Sequence, residues 1–196
     1  MENLQTEHYG IEMDKMFKFN SSHFVVYKGF REPLHGHNYK VSIKIKAKKL
    51  NSCYYVCDFH IVSDLMREIC AKLKHVCLLP KNNPFVKITA HSTDKTNEKV
   101  YDLNDTATLE KERDTINVTV ATEDGSVFTF PYNDVKIIET EQISAECMSK
   151  YVAHALMYQF EEKYPENAKD IQITKMTCKV AEDKGMAGVY SMVFKP

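Results

Sequence analysis

Alternation of apolar and polar positions is cleanest from Asn38 to Ala47. Tyr39, Val41, Ile43, Ile45 and Ala47 fall on one face, and Lys40, Ser42, Lys44 and Lys46 on the other. That period of two predicts a half-buried antiparallel strand. Upstream, Phe17, Phe19, Ser21 and His23 share one parity, which predicts a strand ending near His23. The connection between them, Phe24 to Leu34, contains Gly29 and Pro33 and is too long for a tight hairpin. Loops of that kind often carry function.

Further strands are predicted at Tyr54–Asp58, Ile171–Val180 and Val189–Phe194, the last two joined by the turn-like Asp183-Lys184-Gly185. A helix capped by Ser63 has Leu65, Met66, Ile69, Cys70 and Leu73 as its apolar stripe. A second, from near Ser144 to about Lys163, turns Met148, Tyr151, Val152, Ala155, Leu156 and Phe160 inward, with Pro165 beyond its end. The stretch from about 81 to 142 differs in texture. Pro80, Asn82, Asn83 and Pro84 break the pattern, and Ile116–Thr122 and Ser126–Tyr132 alternate around Asp124-Gly125 as a short hairpin should. The expectation is one domain over residues 1–196, of class α+β, with helices on one face of an antiparallel sheet and an insertion at about 81–142.

Charge narrows the possible partners. Lys and Arg number 26 against 27 Asp and Glu, so no net field favours nucleic acid or an anionic membrane. The segment Met1–Gly10 carries Glu2, Glu7 and His8 without an apolar core, which argues against a secretory signal. No stretch approaches a membrane helix. Cys53, Cys57, Cys70, Cys77, Cys147 and Cys178 are accordingly expected as free thiols in a reducing, cytoplasmic setting.

The chemistry concentrates in histidines. His35 and His37 lie two apart at the entry of a strand, so their side chains share a face. If the His23 strand pairs antiparallel with that strand, all three imidazoles converge. Three neutral nitrogens with an open fourth position describe catalytic zinc, although imidazoles alone also suit iron or nickel. Cys53 and Cys57 are a competing pair, weakened by the lack of a partner pair.

These residues resemble the zinc signature of the 6-pyruvoyltetrahydropterin synthase and 6-carboxytetrahydropterin synthase family: Phe19-Asn20-Ser21-Ser22-His23, then Leu34-His35-Gly36-His37-Asn38-Tyr39-Lys40-Val41. Val56-Cys57-Asp58-Phe59, Leu73-Lys74-His75 with Leu78, Ile143-Ser144-Ala145-Glu146 and Val180-Ala181-Glu182 resemble later family segments in the same order. The resemblance implies a T-fold, a four-stranded antiparallel sheet with two helices on one face, extended here by a β-hairpin insertion. It implies trimers stacked into homo-hexamers, with active sites at subunit interfaces and 7,8-dihydroneopterin triphosphate as substrate. By the same resemblance His23, His35 and His37 hold Zn2+ and His75 is catalytic. Glu182 grips the pterin, with Ser144 and Glu146 as candidate neighbours.

The chain departs from that pattern twice. Family members making pyruvoyl or carboxy products carry a cysteine base shortly before the histidine pair, and no cysteine lies between His23 and His35 here. The only carboxylate in that segment is Glu32. This resembles a variant subgroup in which glutamate replaces cysteine and the side chain is cleaved to 6-hydroxymethyl-7,8-dihydropterin, a folate precursor. Lys74 stands where the family has aspartate before the catalytic histidine. The resemblance thus implies a zinc-dependent lyase of folate biosynthesis, with conventional pyruvoyl formation toward tetrahydrobiopterin, or non-catalytic pterin binding, as alternatives. Lys28, Arg31 and Lys74 are candidate triphosphate contacts on charge alone.

Overall fold

The computed structural model describes residues 9–96, 99–166 and 172–194. Its strands are β1 (Tyr9–His23), β2 (Val26–Tyr27), β3 (Phe30–Arg31), β4 (His35–Ala47), β5 (Cys77–Pro80), β6 (Val86–Ser92), β7 (Val100–Tyr101), β8 (Ile116–Thr122), β9 (Val127–Pro131), β10 (Val135–Ile138), β11 (Ile173–Asp183) and β12 (Met186–Val193). Its helices are α1 (Phe59–Lys72), α2 (Thr106–Lys111) and α3 (Ala145–Lys163). The architecture is α+β. Ile171, where the penultimate strand was expected to begin, and Met1–His8 of the N-terminal stretch lie outside the described residues.

The chain gathers into two compact units. The first takes residues up to Phe19, Asn38–Lys72 and those from Ala145 onward; the second takes Asn20–His37 and Leu73–Ser144.

In the first unit the strand order is β1-β4-β11-β12. Val41, Ile43 and Ile45 of β4 are buried, each contributing roughly 1.5–3 kcal/mol on leaving water. Ser42, expected on the polar face, is buried as well, because its hydroxyl donates to Asp14 and accepts from the Lys15 N–H. Helix α3 packs on β11 and β12 and against α1. The contact depends on Gly188, where a Cβ would stand 2.1 Å from the Ala145 carbonyl carbon. Buried Ser149 locks it, donating to the carbonyls of Ala145 and Gly188 and accepting from the Val180 N–H.

Two local expectations fail here. Tyr54–Asp58 is not a strand. The Asn51 side chain accepts the N–H groups of Cys53 and Tyr55, and Tyr54 turns left-handed at φ 66°, so the segment closes as a side-chain-stabilised loop. Ser63 does not cap α1. Asp58 does, accepting the His60 N–H at 2.8 Å, which leaves Ser63 buried inside the helix against the Met13 sulfur.

The second unit contains the segment read as an insertion, and it is larger than a hairpin. Strands β8 and β9 pair around Asp124-Gly125 as expected, within an antiparallel sheet of order β7-β6-β8-β9. Ala90, Ile116, Val118 and Val120 of that sheet form a core with Leu109, Leu79, Val135, Phe24 and Val26. Strands β5 and β10 run parallel, and β5 meets β1 at Ser22 and Cys77. None of the described helices is long and apolar enough to cross a membrane.

Candidate metal centre

His23 closes β1, and His35 and His37 open β4, all within the second unit. The two-residue spacing puts His35 and His37 on one face of β4, and bringing them beside His23 needs a close approach of β4 to β1. Gly36 supplies this, since a Cβ there would stand 3.1 Å from the Ser21 carbonyl oxygen. The potential ligand atoms of His23, His35 and His37 lie within 4.8 Å of one another. Their ring centroids are 4.6, 5.2 and 4.9 Å apart.

Main-chain carbonyls set two of the tautomers. His23 Nδ1 lies 2.8 Å from the Ile143 carbonyl oxygen, and His35 Nδ1 lies 2.9 Å from that of Pro33. A carbonyl only accepts, so each Nδ1 carries a proton and Nε2 is the ring nitrogen left to serve as ligand. That is how metal-binding imidazoles are held. His23 is 2% exposed. Burial lowers its pKa to about 4; the neighbouring His35 charge acts the same way, the Ile143 carbonyl opposes, and His37 adds a smaller lowering effect. The imidazole therefore stays neutral and available as a ligand across ordinary pH. Three imidazole nitrogens on rigid strand ends fit a borderline-soft divalent cation such as zinc.

Glu32 follows the small β2–β3 hairpin. Its N–H donates to the Val25 carbonyl at 2.9 Å, and its carboxylate accepts the Val25 N–H at 3.3 Å. It is half-buried, and the charge of its neighbour Arg31 pairs with Asp124. His75 is exposed and left-handed at φ 61°, its N–H donating to the Asn20 carbonyl three positions before His23. Ser144 is half-buried and follows Ile143 directly.

Glu182 and Glu146 belong to the first unit. Glu182 sits where the β11–β12 register slips between Ala181 and Asp183, a bulge that re-aims a side chain. Glu146 is exposed in the first turn of α3. The structure thus draws the three histidines together, with Glu32, His75 and Ser144 in the same unit.

Two residues of this region escaped the sequence reading. Asn83 donates to the carbonyls of Val26 and Glu141, and Gln142 donates to Val26, fixing the loop after His23. Asn83 reads in sequence as a breaker beside Pro84; only its burial reveals the role.

Residues 12–187 match the family model described as 6-pyruvoyl tetrahydropterin synthase. A Methanocaldococcus jannaschii protein, provisionally named a 6-carboxy-5,6,7,8-tetrahydropterin synthase, is 26% identical over 71% of this chain and 71% of its own. A Pyrococcus horikoshii protein with the same provisional name is 26% identical over 85% of this chain and 80% of its own. Among solved structures, the Plasmodium vivax 6-pyruvoyl tetrahydropterin synthase superposes with a TM-score of 0.75 at 26% identity, covering 96% of this chain and 99% of that one. A variant of that enzyme with a glutamate changed to alanine is described as a catalytic-residue mutant.

Proposed function

Because this chain belongs to the 6-pyruvoyl tetrahydropterin synthase family, whose members are pterin lyases with the T-fold, we propose that it is a zinc enzyme cleaving the side chain of 7,8-dihydroneopterin triphosphate to 6-hydroxymethyl-7,8-dihydropterin. The observation carrying this reading is the pairing of a three-histidine centre with Glu32, in a connecting loop free of cysteine. That a glutamate of the Plasmodium vivax relative is described as a catalytic residue supports the choice of Glu32.

His23, His35 and His37 would hold the metal through Nε2 of the first two and a ring nitrogen of the third. Bound there, zinc supplies Lewis acidity toward the hydroxyls of the substrate side chain. Glu32 takes the proton of the 2′-hydroxyl. The C1′–C2′ bond then breaks, C2′ becoming an aldehyde carbon and the electron pair passing into the pterin ring. His75 returns a proton to C1′. Glu182 accepts two parallel hydrogen bonds from the 2-amino and N3 edge of the pterin, as a carboxylate is suited to do. Ser144 and Glu146 are candidate further contacts to the pterin. Homo-hexameric assembly with sites at subunit interfaces, a cytoplasmic location and a role in folate synthesis complete the reading.

The test is a product assay. Zinc-loaded protein is incubated with 7,8-dihydroneopterin triphosphate, and the pterin is identified by oxidation and fluorescence. Hydroxymethylpterin as the main product is expected. Pyruvoyl product alone would replace side-chain cleavage with triphosphate elimination, and no turnover would favour a binding module.

A further inference from the structure

The loop bearing Glu32 is closed by its own bonds between Val25 and Glu32, but these are few. Its strands β2 and β3 are two residues each, too short for an isolated hairpin to persist in water. Asn83 and Gln142 hold its first strand through the Val26 carbonyl, and the tip of the β8–β9 hairpin braces its second. Arg31 Nε donates to Asp124 Oδ2 at 3.0 Å and to Ser126 Oγ at 3.2 Å, while its Nη1 donates to the Glu32 carbonyl at 2.8 Å. The guanidinium also lies over the Phe128 ring, 5.2 Å from its centre, and Phe128 stacks on Phe24, the residue after His23. The Gly29 N–H reaches the Glu123 carboxylate at 3.3 Å.

Asp124 is built to receive Arg31. Its Oδ1 accepts from the Thr122 hydroxyl at 2.5 Å and the Ser126 N–H at 3.1 Å, and its Oδ2 accepts from the Ser126 hydroxyl at 2.9 Å. One carboxylate oxygen thus closes the turn, and the other faces the loop. Nε and Nη1 of Arg31 are thus both engaged in bridging the hairpin tip to the Glu32 backbone.

Resting on the reading of Glu32 as base, we infer that the β8–β9 hairpin is a positioning device. Asp124, acting through Arg31, fixes the Glu32 backbone relative to the histidine centre. A misplacement of about 1 Å in a catalytic group can cost on the order of a hundredfold in rate. The insertion therefore acts on turnover, without touching substrate.

The experiment uses zinc-loaded full-length protein carrying Asp124→Asn, which keeps Oδ1 and its turn contacts but replaces the oxygen facing Arg31 with an amide donor. Expected is at least about tenfold faster hydrogen exchange at the amides of residues 25–32, with zinc content unchanged. A kcat fall of about tenfold with KM within twofold should accompany it. Arg31→Ala should match Asp124→Asn, and the double variant should be no worse than either. Unchanged exchange overturns the inference, and so does faster exchange with wild-type kcat while Glu32→Ala is inactive. A rise in KM with kcat preserved in Arg31→Ala would also overturn it, marking a substrate contact instead. Glu32→Ala retaining activity would overturn the base assignment alone, and the exchange measurement would still decide the tether.

Discussion

His23 Nδ1 donates its proton to the carbonyl of Ile143 at 2.8 Å, across 120 positions of sequence. The contact turns Nε2 toward His35 and His37 and settles which nitrogen is available to a cation. Replacing the ring removes both ligand and orientation. His23→Ala is expected to weaken zinc binding beyond the 10–100-fold that loss of an outer partner costs. Zinc per chain after competition with a chelator measures it, and wild-type retention would undo the ligand assignment.

Removing the metal should also loosen the fold, because a ligand held only by the native state adds stability. At a hundredfold excess over Kd the gain is about 2.7 kcal/mol. Chelation is therefore expected to lower Tm by several degrees and abolish turnover, with added zinc restoring both. A Tm indifferent to chelator and zinc would mean that the histidines hold no ion.

Two glycines should separate packing from backbone freedom. A Cβ at Gly188 would overlap the Ala145 and Glu146 backbone, whereas one at Gly125 meets nothing within 4 Å but must adopt φ 84°. Gly188→Ala is expected to cost about 3 kcal/mol or more, by forcing α3 off the sheet. Gly125→Ala should cost about 1 kcal/mol, from the left-handed backbone alone. Urea denaturation would show the order, and equal costs would refute the close approach.

The histidine centre was legible in the sequence because its geometry rests on parity: His35 and His37 differ by two positions, and His23 shares the phase of Phe17 and Phe19. The main-chain carbonyls of Pro33 and Ile143 were not legible, since any residue there offers the same acceptor. Strand β5 was not legible, because an apolar run as short as Cys77–Pro80 has no period long enough to tell sheet from helix. The Asn51 loop failed for another reason. Tyr54, Tyr55 and Val56 favour strands, and a single side chain that ties up the backbone donors overrules them.

Alkaline pH should destabilise the protein through its buried thiols. Burial pushes Cys70 and Cys178 up to about 12, with Cys70 adding to the effect on Cys178, and burial with the Asp58 charge pushes Cys57 to about 11. Above pH 9 these thiols ionise in the unfolded chain but stay protonated in the folded one. The unfolded state then binds fewer protons, so stability falls from about pH 9 toward 11–12, by up to roughly 1.4 kcal/mol per unit for each thiol. Urea midpoints at pH 8, 9 and 10 test this, and Cys178→Ala should flatten the slope. An identical slope in that variant would place the effect elsewhere.

The left-handed backbone of His75 has an evolutionary corollary. A non-glycine residue in that conformation costs on the order of 1–3 kcal/mol, so the position carries a standing debt in stability. Variants bred only for heat tolerance are expected to drift to glycine or asparagine at 75, and variants bred for turnover to keep histidine. The two lineages would diverge at a residue whose identity reports which pressure its ancestors faced.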